Sequence, residues 1–287
     1  MLPFVKKIFK GVVDVLKIFL SLLFAAVVSL PLTANAKTQS MWIDGDHGKL
    51  SAIMQVPNGK TSYPMVIICH GFTGNKNEPL LTTLADNLEA VGIASLRFDF
   101  NGHGESEGNF SDMTVLNEIG DAVKVYNYVG GLSKVTSISI AGHSQGGVVA
   151  SMVAGQLGTN KIKALALMAP AAVLRDDAIR GHIFDKTYDA INPPEYVEIF
   201  GGKKLGRNYI LTAQTLPIYE TAAKYQGSAL MILGTGDTIV PYTYSVRYQE
   251  IYPNSQLELL PNFDHSFSQD VSKATKIVAD YFAEKLN

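Results

Sequence analysis

The chain holds a single cysteine, Cys69, among 287 residues. One thiol excludes an internal disulfide, so no covalent staple supports the fold. Cys69 sits in the apolar run MVIICHG and reads as a small buried hydrophobe rather than a reactive thiol. A charge of one sign is also missing. The formal net charge is -2, so no basic field invites nucleic acid as a partner. Lysine and arginine are scattered, apart from Lys6, Lys7, Lys10 and Lys203, Lys204. Metal-ligand spacing is absent. The six histidines are far apart and no HExxH occurs, so no metal site is expected. There is no Walker phosphate loop and no GxGxxG after a strand, so no nucleotide cofactor is expected either. No internal repeat and no low-complexity linker divides the chain.

What is present suits one large domain with a substantial core, since apolar residues make up 47% of the chain. The first 36 residues stand apart. MLPFVKKIFKGVVDVLK is a basic lead-in, residues 18–32 are an uncharged apolar run, and Ala34 and Ala36 flank Asn35. That is the plan of a secretory signal peptide, with cleavage expected after Ala36 and export as a secreted or periplasmic protein. The apolar run is short for a membrane span, which needs roughly 20 residues. No stable membrane association is expected after cleavage. The alternative is an uncleaved anchor, since Asp14 and Lys17 lengthen the polar region.

From residue 37 the chain alternates between two periods. WIDGDHGKLSAIMQVP reads as a hairpin turning at Asp46–Gly48. Strand-like runs follow at 63–71, 93–100, 135–142, 162–170, 228–234 and 255–261. Most are continuous apolar runs, as strands buried on both faces are. Between them lie helical patterns such as PLLTTLADNLEAVG, with apolar residues at Leu80, Leu81, Leu84, Leu88 and Val91. Alternating strands and helices imply an α/β fold with a mainly parallel central sheet and helices on both faces. One stretch, at about 171–226, breaks the alternation. It holds RDDAIRGHIF, a hairpin-like NPPEYVEIFGGKKLGRNYIL and TLPIYETAAKY. It reads as a lid-like insertion over the active edge of the sheet.

Glycine–x–serine–x–glycine occurs twice, as GESEG at 104–108 and GHSQG at 142–146. A nucleophilic serine on this pattern sits on a sharp turn between a strand and a helix, and the helix N-terminus lends positive potential. Ser144 has that context: SISIA leads straight into it and GVVASMVAG follows. Ser106 does not. NGHG separates it from its strand, GNFSD follows as a loop, and Glu105 and Glu107 would oppose the negative charge of an acyl-transfer intermediate. Ser144 is therefore the expected nucleophile.

A serine hydroxyl needs a base, and the base needs an orienting acid. In this architecture the acid and then the histidine follow the serine in the chain. After Ser144 only His182 and His265 remain. His182 lies in the insertion, whereas His265 follows the last strand, which favours His265. Asp237, in GTGDTIVP after the strand SALMILG, is the expected acid. Asp264 is adjacent to His265 and Asp270 follows it. The intermediate's oxyanion needs backbone N–H donors. Gln145, next after the nucleophile, and Phe72, in HGFTGNK, are expected to supply them.

Together HGFTGNK (70–76), FDFNGHGESEG (98–108), GHSQGG (142–147), GTGDTIVP (234–241) and the late His265 resemble the α/β-hydrolase superfamily, across nearly the whole chain after residue 36. Within it the chain is most similar to bacterial cinnamoyl (feruloyl) esterases, with acylaminopeptidase-like and monoacylglycerol-lipase-like hydrolases close by. The resemblance implies a secreted serine esterase that needs no cofactor. It would cleave esters joining hydroxycinnamic acids to plant cell-wall sugars. It also implies that the insertion holds the aromatic acid, with Asp176 or Asp177, and Tyr209, as candidates to meet its phenolic hydroxyl. Other expectations stay open. The substrate could be a short-chain acyl or acetyl ester, a monoacylglycerol or a peptide. A noncatalytic binding protein on this fold would be expected to lose one of Ser144, Asp237 and His265, and all three are present.

Overall fold

The computed structural model describes residues 37–286. The expected signal peptide, its cleavage point and the alternative anchor lie outside the described residues. The catalytic domain expected over 37–287 is described to residue 286.

β1 (Lys37–Gly45) and β2 (Gly48–Val56) form an antiparallel hairpin with Gly45 opposite Gly48. β3 (Tyr63–Cys69) leads to α1 (Pro79–Ala90). Pro79 opens that helix, where its missing N–H has no intrahelical partner to lose. Leu80, Leu81, Leu84, Ala85 and Leu88 form its buried stripe. β4 (Ala94–Phe98) passes through a glycine-rich loop to α2 (Val115–Gly130). Thr114 caps α2 by accepting the N–H of Asn117 at 3.1 Å. β5 (Val135–His143) reaches α3 (Gln145–Leu157) with only Ser144 between them, and β6 (Ala164–Met168) follows.

The insertion then builds its own small elements. They are α4 (Val173–Arg180), the hairpin β7 (His182–Ile183) with β8 (Lys186–Thr187), the ribbon β9 (Tyr196–Glu198) with β10 (Lys204–Gly206), α5 (Arg207–Gln214) and α6 (Ile218–Ala222). The hairpin-like reading of NPPEYVEIFGGKKLGRNYIL holds for β9 and β10, but RNYIL turns into α5. Two-residue strands and eight-residue helices are too short to print a period on the sequence. Regular alternation resumes with β11 (Ser228–Gly234), α7 (Thr243–Ile251), β12 (Asn254–Leu260) and α8 (Val271–Leu286).

The main sheet has eight strands in the order β1-β2-β4-β3-β5-β6-β11-β12. β2 pairs antiparallel with β1 and β4, and all other neighbours are parallel. Along β3 the faces alternate. Met65, Ile67 and Cys69 enter the core shared with α2 and α3, while Val66 and Ile68 enter the core shared with α1 and α8. Cys69 is buried, and burial pushes its thiol up, away from reactivity. This is the expected parallel sheet covered on both faces. The loops after β3, β4, β5, β6, β11 and β12 meet at one edge, where such sheets carry their sites.

Candidate active site

Ser144 stands at φ 55°, ψ -123°, between β5 and α3. A non-glycine residue at that φ is strained and persists only where its surroundings hold it. Here they do. The N–H of Ser144 donates to the Met168 carbonyl at 2.9 Å, and its own carbonyl accepts from the N–H of Ala171 at 3.0 Å. A Cβ on Gly142 would strike the Gly146 backbone, and one on Gly146 would strike the Cys69 and His70 carbonyls. The glycines of GHSQGG are therefore a steric requirement of the turn.

The turn sets Ser144 Oγ 2.9 Å from His265 Nε2, and His265 Nδ1 lies 2.7 Å from Asp237 Oδ2. A carboxylate only accepts, so Nδ1 carries the imidazole proton and Nε2 accepts from the serine hydroxyl. The second Asp237 oxygen accepts the N–H groups of Ile239 and Val240, both at 2.8 Å. Asp264 faces its own loop, where it accepts the N–H of Ser266 at 3.1 Å and of Ser268 at 2.9 Å.

Ser106 is engaged elsewhere. Its hydroxyl donates to the Asp99 carbonyl at 2.6 Å and accepts the N–H of Ser51 at 2.8 Å. Glu105 meets Lys76 Nζ at 2.7 Å, and Glu107 accepts the N–H of Lys49 at 2.7 Å. GESEG is thus a clasp joining β2 to the loop after β3.

Two buried histidines orient the site through backbone carbonyls. His70 accepts the Phe100 N–H on Nε2 at 3.1 Å, so its Nδ1 carries the proton and donates to the Gly71 carbonyl at 2.8 Å. A trans peptide points its carbonyl and its N–H in opposite directions. Holding Gly71 O therefore aims the N–H of Phe72, which has no backbone acceptor among the described residues. The N–H of Gln145, first in α3, has no intrahelical acceptor either. His143 donates from Nε2 to the His265 carbonyl at 2.9 Å. Burial pushes His70 down to about 3 and His143 to about 4, so both stay neutral and keep these roles.

A cleft of about 370 Å³ opens on Ser144 between the insertion and Phe72, Thr238 and Ile239. Its walls are mostly apolar, from Val173, Leu174, Ile183, Phe184 and Tyr188. Of the residues expected to meet a phenol, Asp177 and Tyr209 line the cleft. Asp176 is not among the lining residues, and it accepts the Tyr244 hydroxyl at 2.6 Å. Asp177 lies 3.3 Å from His182 Nδ1, and burial pushes its carboxyl up. Tyr209 is buried and donates its hydroxyl to Gln145 Oε1 at 2.7 Å. Phe184, Tyr188 and His182 were not legible as lining residues, because the insertion has no period to show which side faces the serine.

Comparison with known proteins gives the following. The family model for serine aminopeptidase, S33, matches residues 61–190. The chain is 34% identical to Est1E from Butyrivibrio proteoclasticus, solved with ferulic acid bound. That superposition has a TM-score of 0.82 and covers 85% of this chain and 98% of the other. A 31.7 kDa Escherichia coli protein from the traX-finO intergenic region is 33% identical over 79 residues, which is 28% of this chain and 27% of that one. The lysophosphatidylserine lipase ABHD12 of Xenopus tropicalis is 28% identical over 130 residues, 45% of this chain and 33% of that protein. The chain therefore spans a third or less of the length of these two curated relatives.

Proposed function

We propose that this chain, which belongs to the α/β-hydrolase superfamily, is a serine carboxylic-ester hydrolase with Ser144 as nucleophile. The observation that carries this reading is the unbroken relay from Ser144 through His265 to Asp237, opening on an apolar cleft. Ser144 Oγ attacks the ester carbonyl as His265 Nε2 takes its proton. Asp237 holds the imidazole and stabilises its charged form. The N–H groups of Phe72 and Gln145 receive the oxyanion. His265 returns the proton to the departing alcohol and leaves an acyl-enzyme. Water, deprotonated by His265, then attacks the acyl-enzyme. The tetrahedral species collapses, the acid is released and Ser144 regains its proton.

The acyl group in this reading is a hydroxycinnamate esterified to a cell-wall sugar. Support comes from the ferulic acid bound in Est1E, a protein 34% identical to this one. Phe72, Phe184 and Tyr188 suit a planar aromatic group, and Asp177 can accept a phenolic hydroxyl. Tyr209, its own proton committed to Gln145, offers such a hydroxyl only a lone pair. Export fits a polymer-derived substrate and rests on the signal-like residues 1–36. N-terminal sequencing of the protein recovered outside the cytoplasm tests it, with Lys37 as the expected first residue. A second reading, a lipase or amide hydrolase, draws on the ABHD12 and serine aminopeptidase matches.

The test compares methyl ferulate, p-nitrophenyl acetate, p-nitrophenyl butyrate, a monoacylglycerol and an aminoacyl amide, with wild type and Ser144→Ala. Preference for methyl ferulate, with Ser144→Ala inactive, supports the full proposal. Preference for another ester or for the amide overturns the substrate class alone. Activity in Ser144→Ala overturns the nucleophile.

A further inference from the structure

We propose that Glu118 and Tyr209 are positioning residues that act through the Gln145 side chain, tying the residue after the nucleophile to α2 on one side and to the insertion on the other. The inference rests on the reading of Ser144 as nucleophile and the Gln145 N–H as an oxyanion donor.

Both ends of the Gln145 amide are engaged. Nε2 donates to Glu118 Oε2 at 2.8 Å, and Oε1 accepts the Tyr209 hydroxyl at 2.7 Å. All three residues are buried. Glu118 comes from the first turn of α2 and Tyr209 from α5, so three separate segments converge on one side chain. That side chain follows directly on the strained Ser144, where misplacement of the N–H donor directly weakens transition-state binding.

The charge of Glu118 decides what kind of support this is. Its Oε1 has no partner among the described residues. One amide donor does not compensate a buried carboxylate, and burial pushes Glu118 well above the usual carboxylate range. Burial therefore disfavours the charged form of Glu118, and in the neutral form Oε2 still accepts from Gln145 as a carbonyl oxygen. A negative charge on the partner of the Gln145 side chain would oppose the build-up of charge at the Gln145 N–H. A neutral acceptor does not, and glutamine can replace it.

The experiment uses the full chain and p-nitrophenyl butyrate, whose acyl group has no phenol for Tyr209 to meet. It measures kcat, KM, melting temperature and inhibition by a phenylboronic acid, which forms a tetrahedral adduct on serine. Glu118→Gln is expected within about threefold of wild type. Glu118→Ala and Gln145→Met are each expected to lower kcat about tenfold and weaken the boronate similarly, with KM within about twofold. Tyr209→Phe falls between, and the Glu118→Ala, Tyr209→Phe double variant is no worse than Gln145→Met, because all three break one tether. If Glu118→Ala does not fold, Gln145→Met, close in volume, carries the same comparison. Wild-type kcat and boronate affinity in Gln145→Met overturn the proposal, as does a loss in Glu118→Gln equal to that expected for Glu118→Ala. An active Ser144→Ala would instead remove the reading beneath it.

Discussion

What separates the two glycine-flanked serines is what each hydroxyl faces. Ser144 faces an imidazole, and Ser106 faces the backbone of β2 and Asp99. Ser144→Ala is expected to lower kcat at least about 10⁴-fold with little change in melting temperature, since in the proposed mechanism the proton relay loses its nucleophile. Ser106→Ala is expected to do the reverse. It loses two hydrogen bonds and leaves the Ser51 N–H without its acceptor, a cost of about 1–3 kcal/mol, while kcat stays within about threefold. Urea denaturation and steady-state kinetics on both variants separate the roles, and a Ser106→Ala enzyme that folds normally but is inactive would reverse them. The place of Ser144 on a sharp turn was legible because strand, turn and helix follow without a gap. The roles of His70 and His143 were not, because both donate to backbone carbonyls. In the case of His143 that carbonyl lies on His265, 122 residues away.

At the scale of elements, the loop after β3 is held by a buried ion pair. Lys76 Nζ meets Asp99 at 2.6 Å, with side chains 3% and 0% exposed. The Lys76 N–H also donates to Asp99 at 2.6 Å, and Arg97 donates to the Lys76 carbonyl at 3.0 Å. Lys76 meets Glu105 too, but that carboxylate is largely exposed. Burial decides which partner matters. Lys76→Met strands the Asp99 charge in the interior and is expected to cost about 3–5 kcal/mol. Activity should fall further than stability at low urea, since the same loop carries Phe72. Glu105→Gln leaves both measurements close to wild type, because its charge is screened by water. Equal effects of the two variants on the urea midpoint would show that the pair is not the clamp. HGFTGNK and FNGHGESEG were each legible as glycine-rich loops after strands. Their union through Lys76 and Asp99 was not, since nothing in either stretch marks the other as its partner. The insertion was legible only as an interruption and, over β9 and β10, as a hairpin, because its other elements are too short to repeat a period clearly.

For the whole molecule, the central sheet was readable because parallel strands buried on both faces leave long apolar runs between helical patterns. The same burial leaves ionisable groups in the interior, and these contribute to how stability depends on pH. Burial pushes His70, His103 and His143 down to about 3, 4 and 4, from an ordinary value of about 6.5. As pH falls below about 6.5 the unfolded chain binds three protons that the folded chain refuses, so these groups lose stability toward acid. Burial pushes Asp121 up to about 6 and Glu118 well above its ordinary range. There the folded chain keeps protons that the unfolded chain has released, so these two lose stability as pH rises through their folded values. Between pH of about 4 and 6 the signs oppose. Asp121→Asn isolates one contribution. It removes a carboxyl whose Oδ1 has no partner among the described residues. At pH 8 the variant is expected to be more stable than wild type by on the order of 2 kcal/mol. At pH 4, where the folded carboxyl is already protonated, the difference should nearly vanish. Melting curves of both proteins from pH 4 to 8 check this: a gap that widens with pH supports the buried acid, and parallel curves rule it out.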